Sequence, residues 1–260
     1  MPPSLLTRGY NRLHNVTFRD LTYSMPKGTS LWELAPQLAA LDPGAFHQFF
    51  DDFHQYDDTA AVGQYGLVKD GAPAVAAIDA AGGVLSIATT GTDNDESYVA
   101  SIAQNWLFAT TKPLWFEARV ALTEANTDDA NIIVGLSDTV GANTLLDNGA
   151  GPAASYDGAA WFKVDGGTVW QFETSNAGTQ ATTTNVGAFV TNTWYRLGFI
   201  FDPNNGTTGL VTPYLNGVAG AAKNITLAGL EEMHILLGAK AGGGNAETLR
   251  CDYVKVLQVR

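Results

Sequence analysis

The stretch from Thr191 to Val218, TNTWYRLGFIFDPNNGTTGLVTPYLNGV, decides the fold class of this chain. Its two apolar runs, WYRLGFIF and GLVTPYLN, flank a polar turn, and the second run ends in Asn216-Gly217. Alternating apolar runs separated by turn residues are typical of a β-hairpin. We therefore predict two antiparallel strands here, with Trp194 and Tyr214 serving as parts of a sheet rather than as ligand platforms.

The same pattern runs from about residue 60 to the end of the chain. Short runs rich in Val, Ile, Phe, Tyr and Trp are separated by Gly, Thr, Asn and Asp, which is typical of a β-sandwich. With few helices between the strands, a parallel βαβ sheet is excluded. The predicted fold class is all-β, and the predicted strands cover residues 64–69, 83–89, 98–107, 114–122, 132–136, 160–163, 169–173, 194–201, 210–216, 233–238 and 249–259.

Two other zones precede this β region. Residues 1–28 lack periodicity and predict an extended arm that orders only against a partner. Residues 29–56 predict short helices: Ser30 and Glu33 match a capping box, and Asp42 with Pro43 supplies the start of a second helix through residues 45–50. The predicted organisation is thus an arm at 1–28, a helical linker or anchor at 29–56 and a sandwich at 57–260.

Charge is distributed unevenly along the chain. The net charge is −12, yet residues 1–27 carry +3, so the remainder carries −15. An acidic body argues against nucleic-acid binding, which needs a basic face. No apolar run is long enough to span a membrane, and we see no signal peptide. The single cysteine, Cys251, excludes an intrachain disulfide; we predict that it is buried and that the protein assembles in a reducing compartment.

No arrangement of residues typical of catalysis is visible. The four histidines are widely spaced, and the glycine-rich stretches lack the residues of a phosphate-binding loop. Glu117 has Arg119 two residues on, which favours a structural cross-strand ion pair over a glycosidase carboxylate. We expect no catalytic residue, no cofactor and no metal; the only residues worth inspecting for a Ca²⁺ ion are Asn94, Asp128 and Asp129.

The hairpin sequence also resembles that of a known type of β-sandwich. A Trp-led strand, a polar turn and then VTPYLNG at 211–217 resemble the laminin-G/concanavalin A-like jelly roll, a sandwich of two antiparallel sheets. Over most of its length the chain also resembles virion proteins of tailed bacteriophages. The segments that carry this likeness are LWELAP at 31–36, DDF at 51–53, AGGVL at 81–85, LWFEARV at 114–120, VGLSD at 134–138 and DYVKVLQ at 252–258.

The phage resemblance implies a non-enzymatic structural protein that decorates or cements the capsid, located in the virion and assembled in the bacterial cytoplasm. Its expected partners are the major capsid protein and further copies of itself, with a trimer implied by three-fold capsid positions. The arm would attach the protein to the capsid. We expect five residues to contact the capsid: Arg8, Tyr10, Arg12, Arg19 and Trp32. Two alternatives stay open, a carbohydrate-binding jelly roll displayed on the virion and a divergent glycosidase.

Overall fold

The computed structural model describes residues 31, 43–59, 63–78, 80–124, 129–204 and 206–260. Within them the regular secondary structure is β-strand, apart from two short 3-10 turns at Pro43–Ala45 and Asp147–Gly149. The strands are β1 Phe46–Asp51, β2 Tyr65–Lys69, β3 Val75–Ile78, β4 Val84–Ala88, β5 Glu96–Ser101, β6 Leu114–Thr123, β7 Ala130–Ser137, β8 Gly158–Lys163, β9 Val169–Asn176, β10 Thr179–Ala188, β11 Trp194–Asp202, β12 Thr208–Leu215, β13 Val218–Ala219, β14 Lys223–Thr226, β15 His234–Ala241 and β16 Thr248–Val259.

These strands form two antiparallel sheets. The larger sheet has nine strands in the order β13-β12-β11-β6-β16-β4-β3, with β1 added beside β16 and β14 beside β12. The smaller sheet has seven strands in the order β10-β9-β8-β7-β15-β5-β2. The all-β sandwich predicted from the strand pattern is therefore confirmed.

The core lies between the two sheets and is rich in stacked aromatic rings. Phe116 and Phe199, on neighbouring strands of the nine-stranded sheet, have ring centroids 4.9 Å apart, and Phe172 of the seven-stranded sheet lies 5.8 Å from Phe199. Trp161 is fully buried, and its indole Nε1 donates a 3.0 Å hydrogen bond to the carbonyl oxygen of Gly198 in the opposite sheet. The two sheets are thus joined by apolar packing and by a directed polar contact.

The predicted hairpin is β11 and β12, paired from Leu197 with Leu215 to Asp202 with Leu210. The Asn216-Gly217 pair lies one turn later, between β12 and β13. Both residues have positive φ, 53° and 82°, as a two-residue type I′ turn requires. The sequence therefore predicted the hairpin correctly, and its last two residues form a second, tighter turn.

One prediction was wrong: residues 45–50 do not form a helix. Pro43–Ala45 is a single 3-10 turn, and Phe46–Asp51 is strand β1, paired with the last six residues of β16. The cause is a two-residue period, because Phe49 packs against the core while Phe50 on the other side is exposed. Pairing with β16 outweighs the helix-start signal of Pro43.

The simple alternation of residues along β16 is interrupted between Cys251 and Tyr253. A β-bulge between these two residues shifts the register, so that Cys251, Val254 and Val256 all reach the core. Cys251 is fully buried, as predicted. Strand β10 was missed because its sequence, TQATTTNVGA, has little apolar alternation.

Gly198 provides a test of the packing. A Cβ atom added to it would lie 2.8 Å from the backbone oxygen of Phe116 and 2.4 Å from Cδ2 of Leu31, which is buried over the outer surface of β11. We predict that Gly198→Ala lowers the free energy of unfolding by about 1–3 kcal/mol, measured by urea denaturation. Gly66→Ala is the matched control, because an added Cβ there meets nothing within 4 Å. Equal stability of the two variants would contradict this packing.

Candidate functional site

The residues predicted to contact the capsid, Arg8, Tyr10, Arg12, Arg19 and Trp32, lie outside the described residues, and so does Asp128. Asn94, inspected for Ca²⁺, instead accepts a hydrogen bond from the backbone N–H of Asn148 through its side-chain oxygen. Within the described part of the chain, no group of three His, Cys, Asp or Glu residues is arranged to hold a metal ion. The remaining candidate surfaces are the two outer sheet faces and the sheet edges.

The outer face of the seven-stranded sheet is covered by the chain itself. The segment 138–157, between β7 and β8, lies over it and buries a second apolar cluster. Leu145 of this segment is fully buried, and its backbone N–H donates to the Tyr98 hydroxyl. Gly238 makes room for the Tyr98 ring, because a Cβ at that position would lie 2.1 Å from the ring.

A buried lysine anchors this covering segment. Lys240 is 1% exposed, and its Nζ contacts Glu96 Oε2 at 3.2 Å, Asn143 Oδ1 at 2.8 Å and Asp147 Oδ1 at 2.5 Å. The carbonyl oxygen of Leu145 accepts a further hydrogen bond. Because all these contacts are intramolecular, the Lys240 ammonium and the Glu96 carboxylate serve to hold the segment on the sheet.

A second buried carboxylate, that of Glu173, is also engaged by this chain. Its oxygens accept hydrogen bonds from the Tyr156 hydroxyl, the Gln180 side-chain amide and the Thr182 hydroxyl. Burial raises the pKa of Glu173 above its usual value, while these hydrogen bonds oppose the shift. Beside it, the cavity under the segment measures about 60 Å³, which is room for water rather than for a sugar ring.

A larger cleft of about 320 Å³ opens between β1 and the end of β5. Its wall contains the His47 and Trp106 rings, whose centroids are 4.5 Å apart. The residues Gln48, Gln64 and Asn105 also line it. Apolar surface with a few amides is the composition of a small-ligand site.

Tryptophan exposure bears on the carbohydrate-binding alternative. Trp106, Trp161 and Trp170 are buried, as the core interpretation predicted, whereas Trp115 and Trp194 are partly exposed on the nine-stranded sheet.

The ion pair predicted for Glu117 is confirmed, with Lys255 as its cross-strand partner at 3.2 Å. The sequence analysis missed Lys240 and Glu173, although a lysine inside the apolar run HILLGAKA was a visible signal of a buried ion pair.

No protein-family model matches the chain, and no curated protein matches it by sequence. Solved structures do match. Peanut lectin aligns at a TM-score of 0.58 and 13% identity, over 82% of this chain and 97% of the lectin chain. The endo-1,3-beta-glucanase from Streptomyces sioyaensis aligns at 0.56 and 12%, over 84% and 98%. A protein of unknown function from Shewanella oneidensis aligns at 0.56 and 15%, over 91% and 97%.

The fold is a concanavalin A-like jelly roll. In other proteins this sandwich is the fold of a lectin and of an endo-1,3-beta-glucanase. At these identities the likeness establishes the fold alone. The predicted relation to phage virion proteins is not tested by these comparisons and stays a prediction.

The Lys240 anchor gives one testable outcome. We predict that Lys240→Met lowers the free energy of unfolding by about 3–5 kcal/mol, because it leaves the buried Glu96 carboxylate without its cation. Urea denaturation followed by tryptophan fluorescence measures the loss. Lys69→Met, at the exposed end of β2, is the control and should change stability by less than about 0.5 kcal/mol. A Lys240→Met variant as stable as this control would show that the ion pair does not hold the segment.

The cleft histidine gives a pH-dependent outcome. Burial, reinforced by Arg260, lowers the pKa of His47 below its usual 6.5. The unfolded chain therefore binds this proton at higher pH than the folded chain, and stability falls as the pH drops through about 6.5. We predict that the thermal midpoint of His47→Gln decreases less than that of the wild type between about pH 7.5 and pH 5.5. Parallel pH profiles for the two proteins would contradict the assignment.

Proposed function

We propose that the chain is a non-catalytic structural protein of a tailed-phage capsid, which decorates or cements the head shell through its sandwich edges and N-terminal arm. The order of sequence segments that resemble phage virion proteins supports this role. The structural observation that carries it is the exposed edge strand β10. The major capsid protein is the proposed partner, a trimer the proposed assembly and the virion the proposed location.

Strand β10 is ten residues long and forms the edge of the seven-stranded sheet beside β9. It contains neither a charged residue nor a proline, the usual protections of an edge strand. A bulge between Thr183 and Gly187 bends it, and one carbonyl oxygen, that of Thr182, accepts a hydrogen bond from Lys223. The opposite edge strand, β2, has only five residues and ends in Lys69. A long uncharged edge is suited to pairing with a strand of another protein.

The bonding of two buried carboxylates to other side chains of the same chain supports a non-catalytic role. Glycoside hydrolysis needs two carboxyl groups facing a substrate groove. On the covered face Glu96 and Glu173 are instead bonded to side chains of the same chain.

Among the described residues no helix is long and apolar enough to cross a membrane.

The experiment compares phage particles that carry wild-type or altered protein. Mass spectrometry of purified particles should detect the wild-type chain in many copies. Thr184→Lys places a charge on exposed β10, and we predict that it lowers the copy number at least about tenfold, because one edge contact is lost at every site. Ala76→Lys on β3, an edge of the other sheet, is the matched control and should be incorporated normally. Absence of the wild-type chain from particles would refute the proposed function, and normal incorporation of Thr184→Lys would refute the role of β10.

Carbohydrate binding is the second candidate. The cleft beside β1 favours it, since the partly exposed rings of His47 and Phe49 next to polar residues such as Gln64 suit a sugar. The similarity of the fold to that of peanut lectin supports this candidate. The two candidates are compatible, because a decoration protein can also present a glycan-binding surface outside the particle.

A further inference from the structure

The outer face of the nine-stranded sheet carries a regular array of cations on three neighbouring strands, β16, β6 and β11. Across these strands Arg250 is level with Ala121 and Trp194, and the next row joins Tyr253, Arg119 and Arg196. In the third row Lys255 is opposite Glu117. We call this array the basic face, and its members are Arg119, Trp194, Arg196, Arg250, Tyr253 and Lys255.

The basic face is unusual for so acidic a protein. The chain as a whole carries −12, yet four of the ten lysines and arginines among the described residues lie here. Two carboxylates lie beside them: Asp252 contacts Arg119 at 2.5 Å, and Glu117 contacts Lys255 at 3.2 Å. The face therefore keeps an excess of two positive charges.

The strand register places some of these like charges opposite each other, which destabilises the folded chain when no ligand is bound. Arg119 and Arg196 are directly opposite each other on adjacent strands, an arrangement of like charges that destabilises a sheet. Arg196 is exposed and donates to the carbonyl oxygen of Asn216, a neutral acceptor. A bound anion placed between the two guanidinium groups would remove this repulsion.

The guanidinium groups are also held in position by neutral partners. Arg119 lies 4.6 Å and Arg250 lies 5.6 Å from the centre of the Trp194 ring. Arg250 donates to the side-chain oxygens of Thr123 and Asn192, while its Nε is buried without a hydrogen-bond acceptor. Such fixed arginines lose little entropy when they bind a carboxylate.

An aromatic shelf adjoins the cations. Phe50 is 62% exposed, and its ring lies 6.3 Å from that of Tyr253, which in turn lies 5.4 Å from Lys255 Nζ. Exposed rings next to paired arginines match a ligand that has both a carboxylate and an apolar face. An acidic sugar residue has both.

We propose that the basic face binds a carboxylated polysaccharide, with Arg119, Arg196 and Arg250 binding carboxylates and the Phe50–Tyr253 shelf contacting sugar rings. The chain's own first 27 residues carry +3, so charge does not favour them as the occupant. Nucleic acid carries a charge every ~1.7 Å of duplex, and the acidic body would repel it more than a sparsely charged glycan. The basic face is a different surface from the cleft beside His47, and the proposal is independent of attachment to a particle.

The test uses the purified full chain and polygalacturonate fragments, with binding measured by titration calorimetry at low and moderate salt. We expect binding that weakens with salt, and a loss of about tenfold or more in affinity for Arg196→Gln, because one charge-assisted hydrogen bond is removed. Lys69→Gln removes the same charge from an exposed position of the other sheet and should bind like the wild type. A thermal midpoint no lower than that of the wild type in either variant shows that folding is intact.

Other polymers separate this ligand from its competitors. Neutral dextran should not bind, and polyglutamate and a single-stranded oligonucleotide should bind more weakly than polygalacturonate. Failure of polygalacturonate to bind, or equal effects of the two substitutions, would overturn the proposal. Tighter binding of polyglutamate or of the oligonucleotide would overturn it too, in favour of an acidic protein or a nucleic acid. None of these outcomes alters whether the chain is found in particles.

Discussion

The hydrogen bond from Trp161 to the carbonyl oxygen of Gly198 is the contact around which the sandwich is organised. It joins β8, in the middle of one sheet, to β11 in the other, and the indole that makes it is fully buried. An indole N–H is costly to bury without an acceptor, so this bond favours the packing register in which Gly198 provides one. The outer side of Gly198 is covered by Leu31, which leaves no room for a side chain there.

With the core defined in this way, the two outer faces have opposite characters. The seven-stranded sheet is covered by the segment 138–157, whose polar groups are bonded to Lys240, Glu96 and Tyr98. The nine-stranded sheet instead presents arginines at an outer surface. A jelly roll whose one face is filled by its own loop must interact through the other face and through its edges, and both proposed contacts, β10 and the basic face, lie there.

Much of the fold was predictable from sequence, because alternation and turn residues are local signals. The β11–β12 hairpin shows this most clearly. The errors arose where tertiary pairing overrides local preference: β1 has a helix-start signal but pairs with β16, and β10 has too few apolar residues to show a period. The basic face could not be predicted, because Arg119, Arg196 and Arg250 are far apart in sequence and only the register brings them together. The arm residues expected to contact the capsid remain predictions.

The segment 138–157 closes the outer face of the seven-stranded sheet through its contacts with Glu96, Tyr98 and Lys240. Hydrogen–deuterium exchange of the full chain tests it directly, because the backbone N–H groups of Asn143 and Leu145 donate to Glu96 and Tyr98. We predict that these amides exchange as slowly as those of β7 and β15 beneath them, since they are released only when the segment leaves the sheet. Exchange at the rate of an exposed loop would contradict the account and would show that this face is open to a ligand.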